Sequence, residues 1–183
     1  MPSLHDTQQT DARVDEHWIE HLNDGSHVLI RPIRPEDRER EAKFIRNLSP
    51  ETRHFRFLGA VKEVSPALLD SLLQADYSHR MAFVALVHQD GELIEVGVSR
   101  YASTGENGQC ECAVTVTDTW QHRGLGTALM RHLIDTARQN GFKQMYSVDS
   151  AANSHLQALA HELGFQHARD PQDATQVIHR LEL

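Results

Sequence analysis

Residues 118–133 read DTWQHRGLGTALMRHL. Two glycines, Gly124 and Gly126, stand between a polar, basic cluster (Gln121, His122, Arg123) and an apolar pattern of helical period, in which Leu125, Leu129, Leu133 and Ala137 recur every fourth residue. Glycine is a poor helix former, so a pair of them at a helix start implies that something must come close to the backbone there. The first amides of a helix have no internal acceptor and lie at the positive end of its dipole. Together these make an anion site suited to phosphate, to which Arg123 can add a direct cation.

The segments on either side give the organisation of the chain. Residues 109–117, QCECAVTVT, alternate as a strand, with Cys110, Cys112, Val114 and Val116 on one face and Glu111, Ala113, Thr115 and Thr117 on the other. Before it, MAFVALVH (81–88) and LIEVGVSRYAS (93–103) read as strands joined at Asp90-Gly91, with a further hairpin turn at Asn107-Gly108. Earlier still, WIEHLNDGSHVLIRPI reads as a hairpin about Asp24-Gly25. The stretch RPEDREREAKFIRNLSPETRHFRFLG reads as two helical pieces broken near Ser49-Pro50, and Leu68, Leu69, Leu72 and Leu73 mark a short helix after Pro66.

After the glycines, Asn140-Gly141 closes the helix. FKQMYSVDS is a strand, NSHLQALAHELGF a helix with Leu156, Leu159, Ala160 and Leu163 on one face, and FQHARD and TQVIHRLEL two closing strands. The expectation is a mixed α/β (α+β) fold with one crossover unit. Residues 1–16 are polar and read as a flexible tail, and 17–183 as a single domain.

Composition narrows the function. The 183 residues carry a formal net charge of −8, with 39% apolar and 24% charged residues. Scattered basic residues argue against nucleic-acid binding, and the acidic balance mildly favours cationic partners. No apolar run approaches the ~18 residues of a membrane span. The N-terminal stretch lacks the basic start and apolar stretch of a secretory signal, so the cytoplasm is the expected compartment. Cys110 and Cys112 are the only cysteines, poorly placed to bond with each other.

Two strings that suggest other chemistry fail on inspection. HWIEH (17–21) matches the H-x-x-E-H zinc-peptidase pattern, but it runs directly into the Asp24-Gly25 turn and lacks a further ligand helix; with thirteen histidines, chance matches are expected. No metal site is predicted. RHFRFLG (53–59) mixes cations with aromatics, and Phe55 and Phe57 read as packing residues of helices flanking an acceptor groove.

No Walker string GxxxxGK[ST] occurs, and a dinucleotide fingerprint fails because Leu129 occupies its third glycine position. What survives is Q-x-x-G-x-G. With the preceding V-x-V strand, the Asn153 helix start and the terminal Gly164-Phe165, this resembles the acetyl-CoA-binding core of the GNAT family of N-acetyltransferases. The resemblance covers about 27–183. LIRPIRPED and LSPETRHFRFLG bring it closer to the acetyltransferase domain of bacterial protein lysine acetyltransferases.

The resemblance implies a central twisted, mostly antiparallel mixed sheet flanked by helices on both faces, and acetyl-CoA as co-substrate. It implies that backbone groups of Val114 and Val116 pair with the pantetheine arm. It assigns the pyrophosphate to amides from His122 to Gly126 (His122, Arg123, Gly124 and Gly126 among them), with Thr127 nearby, counts Gln121 among the cofactor-binding residues, and puts Asn153 close to the pantetheine; a plain N-cap role for Asn153 is equally open. Relatives often carry glycine where this chain has His122. If that position needs a positive φ, histidine fits it poorly, and the loop either shifts or lets His122 cover the phosphates.

Acetyl transfer to an amine needs a neutral nucleophile, and roughly 0.04% of a lysine with pKa near 10.4 is neutral at pH 7. A positioned base removes much of that burden. Glu111, on the strand entering the glycine loop, is the candidate: by the resemblance, a glutamate in an EFAV-like string acts as base, and this chain has ECAV. The tyrosine that many members place five residues before the final phenylalanine is Ala160 here, so the proton for the leaving thiolate has no obvious donor. An acetyl-cysteine route through Cys110 or Cys112 is disfavoured by their apolar face. The expected acceptor is a protein lysine; a small amine, or a non-catalytic acetyl-CoA sensor, are the alternatives. Oligomeric state is not legible in the sequence.

Overall fold

The computed structural model describes residues 13–59 and 61–183. Most of the expected tail, residues 1–12, lies outside the described residues. At its end Arg13 is buried, and the Val14 carbonyl accepts a hydrogen bond from Arg34 Nη2 at 3.2 Å.

Eight strands form one sheet: β1 (Trp18–His21), β2 (His27–Pro32), β3 (Arg80–Gln89), β4 (Glu92–Ser103), β5 (Gln109–Val116), β6 (Gln144–Ser150), β7 (Gln166–Arg169) and β8 (Gln176–Glu182). Their spatial order is β1-β2-β3-β4-β5-β6-β8-β7. Neighbours pair antiparallel except β5 and β6, which are parallel, as a strand–helix–strand crossover requires. HWIEH therefore lies largely on a strand, β1, and not on a metal-binding helix.

Helices cover both faces. On one lies α4 (Leu125–Gln139), whose every-fourth-residue stripe Leu125, Leu129, Leu133 and Ala137 is buried to 1% exposure or less against Cys110, Phe83 and Met145 of the sheet. On the other lie α1 (Arg38–Asn47), α2 (Pro50–Phe57) and α3 (Pro66–Leu73), where Phe44, Ile45 and Leu72 meet Val84, Leu86 and Val98. Pro50 and Pro66 open α2 and α3 because proline lacks only an N–H that a first turn leaves unpaired anyway. Ser49 and Ser65 cap those turns. The last helix, α5 (Ser154–Glu162), begins at Asn153.

Two irregularities shape the centre. A bulge opposite Ala85 and Leu86 pairs them with Gly97 and Glu95. The extra residue, Val96, joins the core under α4, and Glu95 turns to the opposite face, beside Glu41 of α1. The second is a parting of strands. β5 and β6 pair only at Gln109↔Gln144, Cys110↔Met145 and Glu111↔Tyr146. Beyond Glu111 the two strands separate, β6 staying with β8 and β5 with β4.

Candidate active site

The parting of β5 and β6 opens a wedge whose apex is the Glu111–Tyr146 rung. Antiparallel strands bond through alternate residues, and Thr117 N–H donates to Val96 O on the β4 side. Counting back from it, Thr115 and Ala113 turn their backbone groups to β4, while Val114 and Val116 turn theirs into the wedge. This is the disposition expected for a strand-like partner there. The Val116 carbonyl, however, already accepts from Gln121 Nε2 at 3.0 Å. Gln121 thus acts on the strand, and Val114 N–H and C=O with Val116 N–H are what the wedge offers.

The wedge continues into a cleft of about 1150 Å³, walled by α2 on one side and by the starts of α4 and α5 on the other. At its wide end lies the glycine loop. His122 has φ 62° and Gly124 φ 88°, so the position where relatives carry glycine does hold a left-handed residue, and this chain tolerates histidine there. The loop keeps its turn and does not shift away from it. Strain of this kind costs about 1–3 kcal/mol and is held by the surroundings: Asn23 N–H donates to Arg123 O at 2.9 Å.

The two glycines have different reasons. Gly124 needs its positive φ, and a Cβ there would lie 3.0–3.2 Å from the Asn23 side chain. Gly126 has ordinary helical geometry, and a Cβ there would sit 3.1 Å from Leu159 Cδ2 of α5. It brings the start of α4 close against the middle of α5. Thr127, one residue on, lines the cleft.

Arg123 is not the free cation expected. Its guanidinium pairs with Asp24 at 3.1 Å, donates to Thr119 O at 2.7 Å and lies 4.4 Å from the Trp120 ring centroid. Asn153 is an N-cap: its Oδ1 accepts from Leu156 N–H at 3.2 Å. It also lines the cleft, so capping and facing a ligand are compatible.

Glu111 is exposed at the apex, with Tyr146 Oη donating to its Oε2 at 3.4 Å. Burial and the Glu111 charge both raise the Tyr146 hydroxyl above its usual range. Ala160 is buried in the apolar floor beside Cys112, Met130 and Phe165. His161 is exposed and absent from the cleft wall. Burial drives the Cys110 thiol up to about 12 and the Cys112 thiol well above its usual range, so neither offers a thiolate.

Three contributors were not visible in the sequence. Arg56, within the RHFRFLG string, reaches the cleft from α2 and stacks 4.7 Å from the Phe57 centroid. Burial and the nearby Arg100 lower its guanidinium to about 10 against the pull of Glu41, Glu111 and Asp149; it stays cationic at neutral pH. Asp149 of β6 lines the cleft and accepts from Ser147 Oγ at 2.5 Å while pairing with buried His179 Nδ1 at 2.8 Å. Asp118 accepts from Thr52 Oγ1 at 2.7 Å and from the Ser49 N–H and Oγ at 3.0 and 2.9 Å. Burial opposes its ionisation, but these hydrogen bonds prevail and hold its carboxyl below the usual range. They tie α2 to the glycine loop. Of these, a mixed aromatic–basic string was the one legible signal; the others depend on which strands become neighbours. Phe55 lines the cleft and Phe57 packs on the α1 side, consistent with helices flanking a groove.

Comparisons with known proteins agree with this geometry. Residues 44–165 match the model of the acetyltransferase (GNAT) family. The chain is 67% identical over 168 residues to the acetyltransferase PA5475 of Pseudomonas aeruginosa, covering 92% of this chain and 90% of that one. It is 30% identical to the acetyltransferase Pat of Mycolicibacterium smegmatis over 76% of this chain and 41% of Pat. Among solved structures, the GNAT domain of S. lividans PAT superimposes with a TM-score of 0.82 at 22% identity over the whole of both chains. YncA of Salmonella typhimurium, solved with its cofactor acetyl-CoA, gives 0.65 at 21% identity over 86% of this chain and 95% of that one. The fold is therefore the mostly antiparallel GNAT sheet with helices on both faces, and the chain belongs to the acetyltransferase (GNAT) family.

Proposed function

We propose that the protein transfers an acetyl group from acetyl-CoA to a primary amine, the lysine ε-amine of a protein, by direct attack with Glu111 as general base. The observation that carries this reading is the wedge. It runs from the glycine loop at the start of α4, along Val114 N–H and C=O and Val116 N–H, to a carboxylate at its apex. Acetyl-CoA supplies the thioester. The chain's own residues hold its arm as an added strand, hold its diphosphate at residues 122–126, and exclude water beneath α2.

At the apex, Glu111 takes the proton of the incoming ammonium, directly or through one water, within hydrogen-bond reach. The neutral amine attacks the thioester carbonyl, the carbon–sulfur bond breaks with its electron pair on sulfur, and the proton that the new amide nitrogen sheds passes to that thiolate or to water. No thiolate of the protein is available to carry the acetyl group, since Cys110 and Cys112 are both raised by burial, which favours direct attack.

A protein acceptor rests on the likeness of LIRPIRPED and LSPETRHFRFLG to the acetyltransferase domain of protein lysine acetyltransferases. The net charge of −8 favours a cationic acceptor over nucleic acid. The free, reduced state of both cysteines suits a cytoplasmic setting. No described helix is long and apolar enough to cross a membrane. The test is thiol release from acetyl-CoA with a panel of lysine peptides, polyamines and amino sugars. Release with peptides, lost in Glu111→Gln while acetyl-CoA still binds, supports the reading. Release with small amines alone moves the acceptor, and tight acetyl-CoA binding without release against any amine makes the protein a sensor.

A further inference from the structure

At the phosphate end of the cleft Arg123 is already engaged, paired with Asp24, bonded to Thr119 and stacked on Trp120. Two histidines stand there as well. The convergence of α4 and α5 that Gly126 permits brings His155, in the first turn of α5, against His122 of the glycine loop. Their ring centroids are 4.1 Å apart at an interplanar angle of 43°, and both are exposed on the cleft wall. The left-handed backbone at His122 aims its side chain toward α5.

We propose that His122 and His155 form a proton-linked clamp on the diphosphate of the donor, so that binding CoA draws a proton onto the pair. This rests on the acetyl-CoA reading above. At this separation charge on one ring disfavours charge on the other. Desolvation, and then the neighbouring His122, hold the His155 ring below its usual titration range. Charged groups on the elements beside the pair are Arg123, already paired with Asp24, Arg131 and Asp135 of α4, and Glu162 of α5, while Glu20, Glu51, Arg56, Glu111, Asp118, His132 and Asp149 line other parts of the same cleft; among these neighbours His122 is the one that acts on His155. A diphosphate placed against the pair reverses its preference and favours the protonated form. The liganded state then binds more protons than the free one. Affinity is therefore full below the free-state titration and falls as pH rises through the liganded-state titration.

Dephospho-CoA is the discriminating probe. Full CoA carries a 3′-phosphomonoester that itself titrates near pH 6, whereas the diphosphate alone does not change charge between pH 6 and 8. Calorimetric titration of the full chain at pH 7, in buffers of different ionisation enthalpy, is expected to show uptake of about 0.5–1 proton per dephospho-CoA. The Kd is expected to rise about tenfold from pH 6 to pH 8, as one linked proton allows. In His155→Gln, and separately in His122→Asn (asparagine tolerates the left-handed backbone), uptake drops below about 0.2 proton and the pH dependence flattens. The His155 ring resonances shift toward the imidazolium position on adding the ligand. Binding without proton uptake overturns the proposal, as does uptake that persists in both variants. Proton uptake with CoA but not with dephospho-CoA also overturns it, because the proton then belongs to the 3′-phosphate. Failure of either compound to bind removes the donor reading itself, a result recognisable because no heat of binding appears at any pH.

Discussion

Tyr146 Oη donates to Glu111 Oε2 at 3.4 Å across the last rung that joins β5 to β6. That bond closes the apex of the wedge and puts a carboxylate where the strands part. It is long for an O–H···O hydrogen bond, whose usual length is about 2.7–2.8 Å, so Glu111 is steered more than held.

The first prediction follows from this geometry. Glu111→Gln lowers kcat/KM for a lysine peptide by about 10²–10³-fold, within the range of a lost general base. Its acetyl-CoA affinity, read by calorimetry, changes less than about twofold, since the donor's proposed anchors lie elsewhere in the wedge. Tyr146→Phe costs less than about threefold because the bond it removes is weak. A Glu111→Gln enzyme retaining a tenth or more of wild-type kcat/KM would exclude Glu111 as the base.

Glu95 gives a pH prediction. It is 5% exposed, and neither of its oxygens has a hydrogen-bond donor, nor has Glu41 Oε2. Glu41 Oε1 is engaged by Arg100 Nη2 at 2.6 Å. Burial first, then the facing Glu41 charge, raise Glu95 well above its ordinary range, so it holds its proton at neutral pH. A raised carboxyl pKa makes the folded state bind more protons than the unfolded one. Stability therefore falls as pH rises above the unfolded value, about 4.3, toward the folded one. Urea midpoints should decline from pH 5 to pH 8 in the wild type. Glu95→Gln should flatten that decline and be the more stable protein at pH 8, by about 1 kcal/mol or more. Parallel pH profiles for the two proteins would refute a proton retained on Glu95.

Gly124→Ala forces a side chain onto a φ of 88° and within 3.2 Å of Asn23. The expected loss is about 1–2 kcal/mol, or a fall in Tm of about 2–8 °C for a chain of this length. Gly126→Ala meets only the flexible end of Leu159 and gains helix propensity, so its Tm should change far less. Equal losses at the two positions in a thermal scan would show that the left-handed turn is not what Gly124 is needed for.

The cysteines should be silent in the native protein. With Cys110 at about 12, a fraction on the order of 10⁻⁴ is thiolate at pH 8, and Cys112 is raised as well. Iodoacetamide should label neither until urea unfolds the chain, and acid-quenched turnover mixtures should contain no acetylated protein by intact mass. Fast native labelling, or an acetyl adduct on either thiol, would reopen a covalent route.

Much of this molecule was legible because its signals are local. The Leu125–Ala137 stripe, the alternation of Cys110 through Thr117, the Asp-Gly and Asn-Gly turns and the prolines at helix starts are each set within a few residues, and the elements stand where those patterns put them. The string Gln121–Gly126 likewise marked the loop between strand and helix. What those patterns do not contain is distance between segments far apart in the chain. Arg123 read as a free cation because nothing near it in sequence announces Asp24, 99 positions earlier, as its partner. Gly126 read as room for a phosphate, and nothing near it in sequence announced that it also makes room for Leu159. His122 read as an oddity until α5 carried His155 to it. Local periodicity and turn chemistry therefore determined the elements and the loop. Folding determined which charges are already paired, which carboxyl is buried against another, and where β5 leaves β6, because each depends on long-range packing that brings remote side chains within a few ångströms.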